Sequence, residues 1–252
     1  MPTFDFEGHP VYYAAHGAGA AGAPLLLIHG VGGGYLHWPP HLRRLTGRPV
    51  YAIDLPGHGR SRGPGLATLA DFTRLIDGWA DSLGFEACVL AGHSLGSALA
   101  LSWALEQPAR VAALVLVGAG PRLRVNTALL DLLQSDFAAA TARIAHLSYG
   151  PTVSADQREV YLRHLRTVDP TVLYNAFAAC NEFDATARLA EVTMPTLILA
   201  GANDRMTPPA LASELQAGIP SATLRILPNT GHMIPIEQPQ ATRDAIAAFV
   251  AP

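Results

Sequence analysis

Gly92-His93-Ser94-Leu95-Gly96 sets a serine between two glycines, after an apolar run and before an alanine- and leucine-rich one. Read as strand and then helix, the serine falls on a sharp turn with a strained backbone. Residues two before and two after it approach each other in such a turn, and only small side chains fit. Gly92 and Gly96 meet that demand. The helix start then points free amides and the positive end of its dipole at the serine. A serine so placed can act as a nucleophile if a base lies within reach.

Other patterns carry less. Gly17, Gly19 and Gly22 have the dinucleotide-binding spacing, but Pro24 and a strand follow where a helix must begin to hold pyrophosphate. His37 and His41 have the i, i+4 spacing of metal ligands, yet Pro39 and Pro40 between them oppose a regular helix. His58 and His93, in glycine-rich turns, read as structural. Cys88 lies in an apolar run and Cys180 reads as packing; two distant cysteines make neither a disulfide framework nor a zinc site. Neither a metal nor a cofactor is expected.

The composition narrows the classes further. The chain has 252 residues, half of them hydrophobic, with a net charge of -3. With no basic patch to neutralise a run of phosphates, nucleic acid is not an expected partner. There is no lysine, so Schiff-base chemistry on a lysine amine is ruled out. The N-terminus lacks the basic start and apolar stretch of a signal peptide, and no apolar run is long enough to span a bilayer. A cytoplasmic location, without a membrane partner, is the expectation. The oligomeric state leaves no mark on the sequence.

Short apolar runs at 24–28, 50–53, 87–91, 113–117, 196–200 and 223–227 mostly lack polar alternation, as parallel strands covered on both faces do. Helical spacing runs through 69–83, 95–106 and 239–250. This alternation predicts an open, mostly parallel sheet flanked by helices, an α/β architecture. The stretch 3–15 alternates more and reads as an antiparallel hairpin at the edge. Between 121 and 188 no strand is expected, only helix-like pieces at 126–147 and 155–168. We read 121–188 as a helical cap inserted into a core made of 1–120 and 189–252.

Four motifs in this order make the chain resemble the α/β-hydrolase fold family over nearly its whole length. His29-Gly30-Val31-Gly32-Gly33-Gly34 looks like that family's oxyanion loop, and Asp54 to Ser61 like its structural turn. Gly92 to Gly96 is the nucleophile turn, and Gly201 to Asp204 with Asn229 to His232 look like the acid and base loops. The resemblance implies Ser94 as nucleophile, His232 as general base and Asp204 as the acid that orients it. Asp184 and Glu237 stay open as alternative acids. The strand ending at Val117 is followed by Gly118 to Pro121, which carry no carboxylate. By the same resemblance the oxyanion donors are the backbone amides of Val31 and Leu95. Trp38, Leu123, Phe137, Tyr149, Tyr174, Phe177 and Met233, with Tyr161, are candidate pocket residues that could equally be core.

A serine nucleophile implies acyl transfer to water, and the expected substrate is a small-molecule carboxylic ester with a small to medium acyl chain. Dehalogenases and epoxide hydrolases of this fold use aspartate, which Ser94 argues against. Carbon–carbon hydrolases and haloperoxidase-like perhydrolases share the triad and stay open. So does a receptor-type protein with little turnover.

Overall fold

The computed structural model describes residues 2–251. Eight strands form one sheet in the order β1-β2-β4-β3-β5-β6-β7-β8. β1 (Thr3–Phe6) and β2 (His9–His16) are the antiparallel edge pair, joined through Glu7 and Gly8, both at positive φ as a tight hairpin turn requires. β2 pairs antiparallel with β4 (Val50–Ile53). The pairings among β4, β3 (Leu25–Ile28), β5 (Cys88–His93), β6 (Val111–Val117), β7 (Thr196–Gly201) and β8 (Ala222–Leu227) are all parallel. The expected α/β-hydrolase architecture, a mostly parallel sheet flanked by helices, is what is observed.

The apolar runs are continuous because each strand feeds two cores at period 2. Leu26, Ile28, Leu90, Leu114, Leu116 and Ile198 face one core. There they meet Phe72, Ile76 and Trp79 of α2 (Leu69–Leu83) and Leu99 and Trp103 of α3 (Leu95–Glu106). Their neighbours Leu25, Leu27, Val89, Val115, Val117 and Leu199 face the other. That face is covered by Leu42 of α1 (Pro40–Arg43) and, from the chain end, by Ile246. α2 starts where Thr68 accepts from the Asp71 amide at 3.2 Å, and it stops at Gly84 in the left-handed conformation. Fully burying a side chain such as Ile76 contributes about 1.5–3 kcal/mol.

Between β6 and β7 lie four helices, α4 (Thr127–Ser135), α5 (Phe137–Ser148), α6 (Ala155–Leu165) and α7 (Pro170–Glu182), with a hydrophobic cluster of their own. The helical piece expected over 126–147 is broken. Asp136 leaves helical geometry and its carboxylate accepts the Ala139 amide at 2.9 Å, capping a new helix. α7 had no counterpart in the sequence reading, and neither had α8 (Pro209–Gly218), which packs on β7 and β8. α9 (Ile234–Glu237) and α10 (Pro239–Phe249) close the chain. No helix among the described residues is long and apolar enough to cross a membrane.

Three buried histidines stand at the carboxyl ends of the central strands. Burial drives His29 well below the ordinary histidine value of 6.5, His58 down to about 4 and His93 down to about 3. All three are therefore neutral in the fold at pH 7. Below about pH 6.5 the unfolded chain takes up protons that the folded chain refuses. Stability from these groups is complete above that range and falls with pH, by up to about 1.4 kcal/mol per group per pH unit. Urea unfolding at pH 7 and pH 5 should show a loss of a few kcal/mol, before most carboxylates titrate. Equal stabilities at the two pH values would contradict this.

Candidate active site

Ser94 occupies the single residue between β5 and α3, with φ 54° and ψ −118°. The turn exists because two backbones come closer than any side chain allows. A Cβ on Gly92 would lie 2.0 Å from the Gly96 oxygen, and one on Gly96 would lie 2.2 Å from the Ile28 oxygen on β3. The first contact is the crowding expected across the serine. The second, against the neighbouring strand, the spacing did not announce. At the first position of α3, the Leu95 amide has no intrahelical acceptor.

The acid and base loops follow β7 and β8. Asp204 Oδ2 lies 2.8 Å from His232 Nδ1 and accepts from the Thr207 hydroxyl at 2.7 Å. Its Oδ1 accepts the Met206 and Thr207 amides, each at 2.8 Å. Burial pushes the Asp204 carboxyl up, but His232 and these bonds outweigh it and hold the group below its ordinary value. It is an anion at neutral pH, so His232 Nδ1 carries the proton between them and Nε2 is left as the basic atom. Thr207, which sequence reasoning missed, completes the carboxylate's hydrogen-bond shell. A hydroxyl three residues after an acid is too common a spacing to have flagged it.

The alternative acids serve elsewhere. Asp184 pairs with Arg124 at 2.9 Å on the surface. Glu237 accepts the Gly231 and Gly150 amides at 3.0 and 2.9 Å, tying the base loop to the segment after α5. The Ser148 carbonyl, at the end of α5, accepts the His232 amide at 2.8 Å. The inserted helices thus help hold the histidine's backbone.

The loop after β3 is fixed from both sides. His29 Nε2 accepts the Leu55 amide at 2.9 Å, so Nδ1 carries the proton it donates to the Gly30 carbonyl at 2.7 Å. His164 of α6 donates to the Gly32 carbonyl at 3.0 Å. In the Asp54 turn, the buried carboxylate accepts the Tyr35 amide at 2.6 Å and the Arg60 amide at 2.9 Å. Burial raises its pKa, and these two bonds pull the other way. Asp54 thereby braces the loops after β3 and β4.

Ser94 and His232 open onto a cavity of about 320 Å³ lined mostly by apolar side chains, among them Leu123, Val125, Leu129, Phe177 and Leu211. Its rim includes Arg122, paired with Glu214 at 2.8 Å, and Arg205, bound to the His146 carbonyl. A second chamber of about 10 Å³ also touches Ser94 and His232, and is lined by Gly30, Val31 and Met233. Of the pocket candidates, Leu123 and Phe177 line the cavity and Met233 the small chamber, where Val31 also lies beside the serine.

Four aromatic candidates are placed elsewhere. Trp38 is fully buried in the core beneath α1 and lines neither space. Phe137 and Tyr174 pack part-buried against the cluster of the inserted helices, which needs large side chains of its own to hold together. Tyr149 stacks edge-on against Tyr161, centroids 5.4 Å apart, and faces a separate outer groove. Tyr161 does reach the small chamber. Cys180 lines the large cavity, but burial pushes its thiol up to about 12, so it is no nucleophile at neutral pH. His37 packs against the His164 ring at 5.6 Å.

Known proteins resemble this chain over nearly all of it. A RutD protein of Variovorax paradoxus, named for carbamate hydrolysis, is 32% identical across 96% of both chains. A pimeloyl-[acyl-carrier protein] methyl ester esterase of Pectobacterium atrosepticum is 29% identical over 95% of this chain and 98% of its own. The solved structure of a hydrolase from Pseudomonas aeruginosa PA01 superposes with a TM-score of 0.90 at 27% identity, covering 100% of this chain and 98% of that one. The sequence profile of the alpha/beta hydrolase family matches residues 25–245, and this chain is a member of that family.

Proposed function

We propose that the protein is a serine hydrolase that cleaves carboxylic esters of small to medium, moderately apolar acyl groups through an acyl-enzyme on Ser94. One observation carries the reading: a serine on a strained strand-to-helix turn shares an apolar cavity with a histidine whose other nitrogen is held by a buried carboxylate. Ser94 Oγ attacks the acyl carbon while His232 takes its proton and then delivers it to the leaving oxygen. Asp204 fixes the tautomer and stabilises the imidazolium. The amides of Leu95 and Val31 receive the developing oxyanion, each worth about a hundred- to a thousandfold in rate.

The resemblance to a methyl ester esterase supports this substrate class. The resemblance to RutD favours a second reading, hydrolysis of a carbamate. The same serine, oxyanion donors and histidine serve either acyl group, and the two differ in what the cavity admits.

Methyl esters from acetate to dodecanoate, with a methyl carbamate beside them, separate the readings when followed by methanol release. Wild type should turn over the shorter esters and Ser94→Ala none, with the best chain length reporting the size of the 320 Å³ cavity. Turnover of the carbamate alone would move the assignment to the second reading, and turnover surviving in Ser94→Ala would refute the nucleophile. Ser94→Ala and His232→Ala should each lower kcat roughly 10⁴- to 10⁶-fold, and the double variant scarcely further. Losses that multiply would show that the two residues do not act as one unit.

A further inference from the structure

The two spaces at Ser94 are unequal, and the difference bears on which half of a substrate goes where. The large cavity is apolar and extends under α4 and α7. The chamber of about 10 Å³ has room for a single water-sized group. It is lined by Val31, Ser94 and His232, the groups that must meet an oxyanion and a leaving oxygen. His93 also lines it. The His93 Nε2 donates to the His232 carbonyl at 2.8 Å, so Nδ1 is an acceptor, and it has no hydrogen-bond partner among the described residues. A buried acceptor beside a water-sized space suits a small hydroxylic group, an alcohol or a water.

His37 and Tyr161 form the far wall of the chamber, their rings 6.3 Å apart. The same two side chains line an outer groove of about 510 Å³, bordered by the exposed apolar residues Val160 and Ile236. They thus form a partition one side chain thick between Ser94 and the outer groove.

We propose that the small chamber takes the alcohol half of the ester and then the deacylating water, and that His37 and Tyr161 set the size of alcohol the enzyme accepts. The inference rests on the serine-esterase reading and adds its leaving-group specificity. Ser94 Oγ forms a bond to the acyl carbon, the bond from that carbon to the alkoxy oxygen breaks, and the serine proton reaches the alkoxide through His232. The alcohol leaves the chamber and water enters it. Water adds to the acyl carbon as His232 takes its proton, the bond to Ser94 breaks, and the serine regains the proton as the acid departs. Methyl esters fit this cycle; bulkier alcohols meet the wall.

The test compares methyl, butyl and benzyl esters of one acid, and methyl esters of several acids, in wild type, Tyr161→Ala and His37→Ala. Thermal melts establish that each variant folds, and His37→Ala carries the comparison if Tyr161→Ala does not. Wild type should lose at least about tenfold in kcat/KM from methyl to benzyl. Opening the wall into the apolar groove should recover most of that loss while the ranking of acyl chains stays as it was. A wild type indifferent to alcohol size, a folded variant with an unchanged alcohol ranking, or a shift in acyl ranking instead would overturn the proposal. Covalent labelling of Ser94 by methoxy and benzyloxy phosphonates, read by mass, separates this from the esterase reading. If wild type hydrolyses no ester, that reading fails, while methoxy-selective labelling relaxed in the variants still supports the partition and unselective labelling sinks it.

Discussion

The close passage of two backbones at Gly92 and Gly96 is the constraint around which the site is built. A Cβ at Gly92 would sit 2.0 Å from the Gly96 oxygen, so strand becomes helix across one residue only if neither position bears a side chain. Ser94 is thereby held at positive φ, a conformation that costs free energy and persists because the surroundings over-determine it. Part of that determination comes from β3, whose Ile28 carbonyl lies against Gly96. The serine's position is therefore a property of two strands and a helix together. Any widening of the turn would move it away from Val31 and His232.

Around this turn the loops at the carboxyl ends of the strands are fastened by neutral, hydrogen-bonded histidines. His29 joins the loops after β3 and β4, and His93 reaches the backbone of the base loop. A charged side chain in either place would have to be desolvated, whereas a neutral imidazole both donates and accepts. His232 lies in the same stack, its ring 5.0 Å from that of His93. It differs in having the carboxylate of Asp204 as partner. In the proposed mechanism that partner separates a histidine able to carry a positive charge during reaction from those that brace the loops.

The helices between β6 and β7 also hold the loops of the site. Ser148 and the Gly150 segment hold the base loop, and His164 bonds the loop after β3. Large side chains of α6 and α7 fill their own core and leave Phe177 to the cavity, while Tyr161 of α6 meets His37, from the loop after β3, between the small chamber and the outer groove. Cavity lining and loop positioning thus share one set of helices.

Much of this was legible in the sequence. The strands, the glycine-flanked serine and the helix at 69–83 follow from local periodicity and turn chemistry, and the helix at 95–106 from its alanine- and leucine-rich composition. The ordered motifs pointed to Asp204 and His232 because loops at strand ends recur at readable positions. The helices between β6 and β7 were less accessible. The break at Asp136 depends on a side chain choosing a backbone amide, and α7 has no strong periodic signature. The pocket was least accessible of all. Trp38, Phe137, Tyr149, Tyr161 and Phe177 are alike as aromatic residues in a sequence. Only packing between segments far apart in the chain sends Trp38 into the core, Phe177 to the cavity and Tyr161 to the wall behind the serine.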